Sequence, residues 1–469
     1  MSDKADTSEK VEKNRRNFMM AGLAVASASV LLDVPFAEAT TSPNEYYNLL
    51  DSGMDLTGAT DVTSEFQQIL NTYPYIWIPA GAILLVSAQL NLTLPRQVIF
   101  GPGLAQVKGA SDNYTDEAPK IVNTTTTTNI LYQSVASSKI ALKGFNIVAN
   151  SPEVTCVYLD RKNQDVILQD IAVSGTFSRG FYIGGSENLQ IKNINAKSAN
   201  LYDTMLDIAG VNAAQIDSIV TSNVVPDASI VTSTVRVCNH GSPYVGSITF
   251  TNTTCQGTTI GLDLQWAASI VVNNLYCEQV VLPMRVGWVP TAIESRNIGS
   301  IVSLIVNGGI LGGASSTHLQ YASYVTDIYV KQAFNAVFTA CNHNGSASTA
   351  ICFDDVSSLR VISPYKNSGV IRDFIGHGLI AHSQSNKNTA ASIVCDMDFD
   401  GTSYALNADG SLGTSPGMSM GSYKTFKAAG TSDIPSYGWR HYRKYIDNTG
   451  ADVNELWVPP LQNLPSLYL

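Results

Sequence analysis

The chain has 469 residues, of which 45% are hydrophobic and 14% charged, so it can bury a large core and intrinsic disorder is not expected. Its formal net charge of −10 argues against nucleic-acid binding, because a phosphate backbone requires a basic surface. Seven cysteines in a chain of this length do not form a disulfide framework, and no Cys/His group has zinc spacing. We therefore expect neither a metal nor a cofactor.

The first 41 residues have the features of an export signal. Arg15-Arg16 and Phe18 precede an apolar, alanine-rich stretch, and Ala37-Glu38-Ala39 has the small residues of a cleavage site. Paired arginines of this kind are typical of twin-arginine signals, which export folded proteins. The alternative is a segment that anchors the chain in a virion and stays uncleaved. No other stretch is apolar and long enough to span a bilayer, so stable membrane insertion is not expected.

Residues 42–130 are predicted to form an N-terminal cap and the first coils of a β-structure. Asp61 or Thr63 is suited to cap a short helix whose apolar residues, Phe66, Ile69 and Leu70, recur at helical spacing. The sequence YIWIPAG that follows predicts a strand ending in a turn.

This cap, TDVTSEFQQIL…YIWIPAGAILLVSAQLNL, resembles the first segment of the pectate-lyase-like superfamily, which is common in phage tailspikes and polysaccharide depolymerases. There a short helix is followed by a strand, a Pro-x-Gly turn and the first coils. The family's usual Gly-Asp-Gly and Asp-Asp-Thr motifs are absent, although Gly53-Met54-Asp55 and Asp61-Val62-Thr63 stand near their places. The resemblance implies a right-handed parallel β-helix and a homotrimer, and it supports the fold more than any activity.

A repeat in the middle of the chain predicts the same fold independently. Six segments align, namely ALKGFNIV, ILQDIAVS, QIKNINAK, QIDSIVTS, TFTNTTCQ and VVNNLYCE, and their apolar anchors recur every 22 to 34 residues: Leu142, Leu168, Ile191, Ile216, Phe250 and Val272. Such a period is typical of stacked β coils. We therefore predict an all-β chain with a parallel β-helix over residues 131–400 and a C-terminal β-rich cap or trimerisation element over residues 401–469.

Two further positions of the repeat carry recurring residue types. Two residues after the anchors stand small or amide side chains, which predict a hydrogen-bonded ladder in a turn: Gly144, Asp170, Asn193, Ser218, Asn252 and Asn274. Cys255 and Cys277 occupy equivalent positions in adjacent coils, where stacked buried thiols are favoured over a disulfide.

A second strand follows in each coil and supplies the candidate site. It is VYL, FYI, LDI, VRV, LDL and MRV in successive coils, so its apolar outer letters point inward and its middle residue points outward. The outward residues form a line that we call the column: Tyr158, Tyr182, Asp207, Arg236, Asp263 and Arg285. Trp266 and Trp288, three residues after the last acid and the last arginine, are predicted to stand beside it.

The column predicts a polysaccharide ligand, because aromatic faces cover sugar rings while acids and arginines bind hydroxyls or carboxylates. Asp207 and Asp263 lie two coils apart, roughly 9–10 Å by backbone spacing, close to the 6.5–9.5 Å of inverting glycosidases. Asp263, beside Trp266, is the candidate general acid and Asp207 the candidate base. A lyase, in which Arg236 or Arg285 acts at the acidic carbon of a uronate, is the alternative chemistry.

The sequence is also compatible with purely structural roles for these residues and with other candidate residues. A column of alternating charges also stabilises a β stack by about 0.2–1 kcal/mol per cross-strand pair without binding anything. Glu278 is an alternative acid, and Asp396, Asp398 and Asp400 are either calcium ligands or, more commonly, a polar strand edge. The leading hypothesis is a tailspike-like protein of the virion tail that binds and depolymerises a host surface polysaccharide. The alternatives are a lyase or hydrolase exported by the twin-arginine route and a non-catalytic attachment β-helix.

Overall fold

The computed structural model describes residues 46–103, 118–125, 129–160, 162–197, 199–222, 224, 231–238, 245–287, 301–313 and 326–343. Beyond these it describes the strands within 349–376, 392–395, 402–419 and 441–457. All of them belong to one compact unit, Tyr46–Leu469. The signal-like segment of residues 1–41 therefore lies outside the described residues.

The N-terminal cap contains one α-helix and six short strands. In chain order they are β1 (Tyr47–Asn48), a 3₁₀ turn (Leu49–Ser52), β2 (Thr57–Asp61), α1 (Thr63–Thr72), β3 (Tyr75–Trp77), β4 (Ile83–Val86), β5 (Leu90–Leu92) and β6 (Arg96–Phe100). Helix α1 buries Phe66, Ile69 and Leu70 in the same core as the strands. The predicted helix and the strand after it are both present.

The start of helix α1 differs from the prediction that Asp61 or Thr63 would cap it. The capping position is Val62, whose side chain makes no capping bond. Asp61 instead accepts a hydrogen bond from the Thr63 backbone N–H at 2.9 Å, and the Thr63 hydroxyl accepts one from the Ser87 N–H at 2.8 Å. Asp61 therefore satisfies the N–H of the first helical residue from one position before the cap, and Thr63 ties the helix to the next coil.

The remaining coils belong with the cap to one 25-stranded parallel sheet. Its strands after the cap are β7 (Lys120–Asn123), β8 (Asn129–Gln133), β9 (Ser137–Asn150), β10 (Thr155–Leu159), β11 (Asn163–Gly184), β12 (Ser186–Lys197), β13 (Asn200–Ala209), β14 (Ala213–Ser222), β15 (Ser233–Cys238), β16 (Ser247–Gln256), β17 (Ile260–Leu264), β18 (Ala267–Val280), β19 (Leu282–Val286), β20 (Ile301–Gly313), β21 (Thr326–His343), β22 (Thr349–Ile362), β23 (Tyr365–Lys366), β24 (Arg372–Gly376) and β25 (Ser392–Cys395). The chain is a parallel β-helix.

Each complete coil has three faces. Residues 163–169 lie on face A, 171–175 on face B and 179–184 on face C, and later coils repeat this order. The predicted anchors pair in register along face A and are buried: Leu142, Leu168, Ile191, Ile216, Phe250 and Val272. Val306 and Phe338 continue the same ladder, so the register holds beyond residue 300, where the sequence pattern alone did not define it.

The bend between face A and face B is the predicted turn ladder. Its residues have positive φ, from 52° at Asp170 to 72° at Gly144, a region that favours glycine, asparagine and aspartate. Asn193 Nδ2 donates to Asp170 Oδ1 at 2.7 Å, and Asn274 Nδ2 donates to Asn252 Oδ1 at 2.8 Å. The ladder is thus confirmed for these two steps, whereas Ser218 and Asn252 both donate to Asp217 instead of bonding to each other.

The core inside the coils is apolar, and its cysteines are reduced. Cys255 and Cys277 pair in register as buried free thiols, as predicted. Burial raises the pKa of Cys277 well above its ordinary value, so this thiol stays protonated.

Two antiparallel hairpins are described within the predicted C-terminal element. Strand β26 (Thr402–Leu406) pairs with β27 (Leu412–Ser419), and β28 (His441–Ile446) pairs with β29 (Asp452–Trp457). Both are separate from the long parallel sheet. In the part of the chain that is described, no helix has the length and hydrophobicity needed to cross a bilayer.

Candidate functional site

The outward column on face C has the register that the sequence predicts. Each member pairs with the next through parallel strands: Tyr158 with Tyr182, Tyr182 with Asp207, Asp207 with Arg236, Arg236 with Asp263, and Asp263 with Arg285. Tyr132 precedes the column and Tyr329 follows it in the same register. The six residues therefore share one line along the molecule.

The column is much less open to solvent than expected. Asp207 is 0% exposed, Asp263 2%, Arg285 4% and Tyr182 5%. These side chains point away from the core, but the arginines lie along the face onto the adjacent carboxylates instead of extending into water. The expectation of a solvent-facing charged column is therefore wrong for its central members.

A four-charge cluster occupies the middle of face C. Arg236 donates from Nη1 to Asp203 Oδ1 at 2.7 Å and from Nε to Asp207 Oδ1 at 3.2 Å. Arg179 Nε donates to Asp203 Oδ2 at 2.7 Å and lies 3.5 Å from Asp207 Oδ2. Cys238 donates its thiol proton to Asp207 at 3.2 Å. Two guanidiniums thus neutralise two carboxylates.

Electrostatics within the cluster favour the charged forms. Burial alone raises the pKa of Asp203, but the hydrogen bonds and charges of Arg236 and Arg179 outweigh it and lower the pKa overall. Burial likewise lowers the pKa of Arg236, and Asp207 and Asp203 more than reverse that effect. Asp203 and Arg236 are therefore both held in their charged forms.

Asp263 and Arg285 form a second, more deeply buried pair. Arg285 donates from Nε to Asp263 Oδ1 at 2.8 Å and from Nη2 to Asp263 Oδ2 at 2.6 Å. Gln265 Nε2 also donates to Asp263 Oδ2 at 2.8 Å. Donors occupy both carboxylate oxygens, so a substrate oxygen reaches Asp263 only by displacing one of them.

The tyrosines form a stack instead of a row of open rings. Tyr158 and Tyr182 have ring centroids 4.6 Å apart at 13°, and Tyr132 stacks on Tyr158 at 5.6 Å and 21°. Stacking covers both faces of Tyr158, so the column offers ring edges and hydroxyl groups, not the ring faces that were expected to cover sugars. The Tyr158 hydroxyl donates to Asp160 Oδ2 at 3.1 Å. Burial and then Asp160 raise the pKa of Tyr158 to about 12, so it remains a proton donor.

Neither tryptophan is seen as a platform beside the column. Trp266 is half-buried and packs against the main core, which corrects the expectation that it flanks the column in solvent. Trp288 lies outside the described residues, as do Asp396, Asp398 and Asp400.

The alternative acid, Glu278, is exposed on face B, away from the column. It accepts hydrogen bonds from the Tyr276 hydroxyl at 3.0 Å and from Gln256 at 3.4 Å. Within the described residues there is no group of three or more metal-ligating side chains.

Comparisons with known proteins give structural likeness alone. No protein family matches the sequence, and no curated protein is significantly similar to it. Full-length tailspike protein 2 from Escherichia coli O157:H7 bacteriophage CAB120 is 14% identical, with a TM-score of 0.36 over 85% of this chain and 49% of that chain. ORF18 of Geobacillus virus E2 is 12% identical, with a TM-score of 0.26 over 87% and 86% of the two chains. The chain spans about half the length of the tailspike.

Three charged residues of this site are not among those predicted from the sequence. Arg179 and Asp203 lie three and four residues before the column members of their own coils, and Asp160 lies two residues after Tyr158. Charged residues recur near the ends of the face C strands, and this recurrence could have identified them. The column prediction used only the middle residue of each strand. Arg179 is 29% exposed and Asp203 25%, so they reach solvent where the buried column members Tyr182, Asp207, Asp263 and Arg285 do not.

The connections between the three faces vary in length mainly at the two edges of face C. In every complete described coil from β9 to β21, face A passes to face B through a bend of one residue with positive φ, or of two in β20, where they are Gly308 and Gly309. The chain between faces B and C lengthens at residues 223–232 and 314–325, and the chain between faces C and A lengthens at 239–246 and 287–300. Loops held on a rigid scaffold are the usual carriers of binding function, so face C is the strongest candidate.

Proposed function

We propose that this chain is a tailspike-like β-helix that binds a host surface polysaccharide along face C. The observation that carries the proposal is a band of solvent-reached, pre-positioned hydrogen-bonding groups: the Tyr158 hydroxyl, the Asp160 and Asp203 carboxylates and the Arg179 guanidinium. Sugar hydroxyls are bound by such groups, and fixing them in advance lowers the entropy cost of binding.

The shape of face C supports the same ligand class. Parallel strands stack about 4.8 Å apart, so successive coils offer equivalent positions along a line. A linear polymer with repeating units matches a linear array better than a compact small molecule does.

A tyrosine pair within the chain gives a matched test of the binding face. Tyr158→Phe removes a hydroxyl on face C that donates to Asp160 at 3.1 Å, and Tyr276→Phe removes one on face B that donates to Glu278 at 3.0 Å. A neutral hydrogen bond contributes about 0.5–1.5 kcal/mol, so we expect Tyr158→Phe to weaken glycan binding roughly 2- to 10-fold. Tyr276→Phe should leave the affinity unchanged. Calorimetric titration with a panel of capsules and O-antigens measures both, and equal effects would remove face C from the proposal.

Depolymerisation by Asp207 and Asp263 is a separate proposal. Incubation with the same panel should then release reducing ends, with added near-ultraviolet absorbance only if the product is an unsaturated uronate. Asp263→Asn should abolish release while sparing binding, and full activity in that variant would reject the assignment. Because the substitution leaves the buried Arg285 partly unpaired, its thermal unfolding must be checked alongside. The arginine bonds that occupy both carboxylates make binding the better-supported activity.

Virion attachment and trimer formation belong to the same proposal. N-terminal sequencing of the protein made by its natural host separates the two origins. An intact N-terminus on purified virions supports a tail component. Cleavage near Thr40 supports twin-arginine export of an extracellular or periplasmic protein instead.

A further inference from the structure

Arg179 differs from the other arginines of face C because part of its guanidinium is unused. Its Nε donates to Asp203 and lies near Asp207, whereas Nη1 and Nη2 make no hydrogen bond to any residue that the structure describes. Its side chain is 29% exposed. Arg236, by contrast, directs Nε, Nη1 and Nη2 at carboxylates, and Arg285 directs Nε and Nη2 at Asp263.

The guanidinium of Arg179 is also held in place. Its central carbon lies 5.7 Å from the centroid of the Tyr182 ring, a cation–π contact, while Nε is tied to Asp203. The two contacts restrain the plane of the fork, while 29% of the side chain remains exposed. A restrained guanidinium binds a pair of oxygens with less loss of side-chain entropy than a mobile one.

A guanidinium can bind the two oxygens of a carboxylate or those of two adjacent hydroxyl groups, and the charges around Arg179 favour the second. Asp203 and Asp207 balance the guanidiniums of Arg179 and Arg236, Asp160 adds a third carboxylate on the same face beside Tyr158, and the whole chain has a net charge of −10. A carboxylate-bearing sugar adds a further negative charge to a site that is already slightly negative. A neutral vicinal diol presents two oxygens without that repulsion.

We infer that Arg179 is a specificity-determining residue that binds adjacent hydroxyl groups of a neutral sugar, so that the glycan recognised on face C is neutral at this position. The inference rests on the proposed function and deepens it by naming the ligand class. It assigns recognition to a residue at the rim of the column, whereas the buried charges of the column hold that residue in place.

The test compares Arg179→Lys with Arg96→Lys. Both arginines lie over a tyrosine ring, but Arg96 lies over Tyr75 at 5.8 Å in the N-terminal cap. Lysine keeps the charge beside Asp203 and removes the fork. On purified bacterial polysaccharides sorted into neutral and uronate-containing sets, the wild-type chain should bind neutral members. Loss of one charge-assisted bidentate contact should weaken that binding roughly 10-fold or more in Arg179→Lys, with no change in Arg96→Lys.

Each contrary result has its own meaning. Binding confined to uronate polymers, weakening steeply with salt, overturns the neutral class. Unchanged neutral binding in a folded Arg179→Lys variant overturns the role of Arg179 and leaves the proposed function standing. An absence of binding across both sets overturns the proposed function itself. If Arg179→Lys unfolds, the salt dependence of wild-type binding tests the neutral ligand class, because the affinity for a neutral ligand is expected to be almost independent of salt.

Discussion

Buried charged residues in this chain sit beside partners, and the most enclosed pair lies inside the coils. Asp327 Oδ2 lies 2.9 Å from His343 Nδ1, and both side chains are fully buried. Asp327 Oδ1 and His343 Nε2 have no hydrogen-bond partner within the described part of the chain. Two half-satisfied polar groups in an apolar core weaken the folded state, because desolvation is only partly repaid.

The pH dependence of stability should report on Asp327. Burial raises its pKa, and His343 opposes that shift only in part. A group whose pKa is raised on folding contributes most below its unfolded pKa, about 3.9, and loses that contribution as the pH rises through the folded value. The free energy of unfolding of the wild type, relative to Asp327→Asn, should therefore increase as the pH is lowered from 7 to 4.

Asp55 supplies a control of opposite sign. Its pKa is lowered by hydrogen bonds from Thr57 and Thr60, so its contribution to stability is present at neutral pH and lost on acidification. The advantage of the wild type over Asp55→Asn should therefore hold from pH 7 to about pH 5 and decrease as the pH falls below about 4, the unfolded pKa of aspartate. Denaturant titrations at three pH values measure both differences, and parallel trends would refute the assignment for Asp327.

At the scale of elements, one turn position repeats with changing residue types. Most members of the face A to face B bend are glycine, asparagine, aspartate or serine, but in strand β21 the position is Ala340, with φ 53°. Alanine in this region costs roughly 1–2 kcal/mol relative to its preferred conformations. The repeated coil geometry imposes the bend on a residue that does not favour it.

Replacing Ala340 should therefore stabilise the coil. Ala340→Gly relieves the left-handed strain and is expected to raise the free energy of unfolding by about 0.5–1 kcal/mol. Ala268→Gly, within strand β18, is the matched control and should lower it by about the same amount, because glycine weakens an extended strand. Equal losses in both variants would show that the bend at Ala340 is not strained. Chemical denaturation is the measurement.

At the scale of the whole molecule, the outer surface of face A changes character along the axis. One outward ladder runs through the exposed polar residues Gln164, Glu187 and Asn212 and reaches Val302 and Phe334, which are 44% and 49% exposed. A neighbouring ladder also ends in half-buried aliphatic residues, although the aliphatic Ile167 precedes its glutamines: Ile167, Gln190, Gln215, Thr249, Val271, Ile305 and Val337. Contiguous exposed apolar surface of this kind usually marks an interface.

The proposed self-association is best placed on this apolar end of face A. Copies with a net charge of −10 repel one another, so a contact between them favours a surface without charge. Phe334→Asp should shift the protein from oligomer to monomer in sedimentation velocity. Gln164→Asp, at the equivalent position among polar coils, should leave the oligomer intact. A protein that is monomeric before substitution would reject the proposed trimer.

Much of the coil register could be predicted from the sequence. Leu142, Leu168 and Ile191 recur at the coil period, and a slip by one residue would turn every such anchor to solvent. The alternation of apolar residues around each middle position likewise predicts the register of the column from Tyr158 to Arg285. The start of helix α1 was less predictable, because its polar residues bond to Ser87 in another coil.

The sequence by itself determined that this protein is a parallel β-helix with a line of tyrosines, aspartates and arginines on one face. Only the tertiary structure decided which of those groups reach solvent. Accessibility depends on side chains far apart in the sequence, since Arg236 lies between Asp203 and Asp207 and thereby neutralises two carboxylates. The period of the repeat fixes which residues are neighbours, whereas ion pairing and stacking fix what a ligand can touch, and that moved the candidate site from the column to Arg179 at its rim.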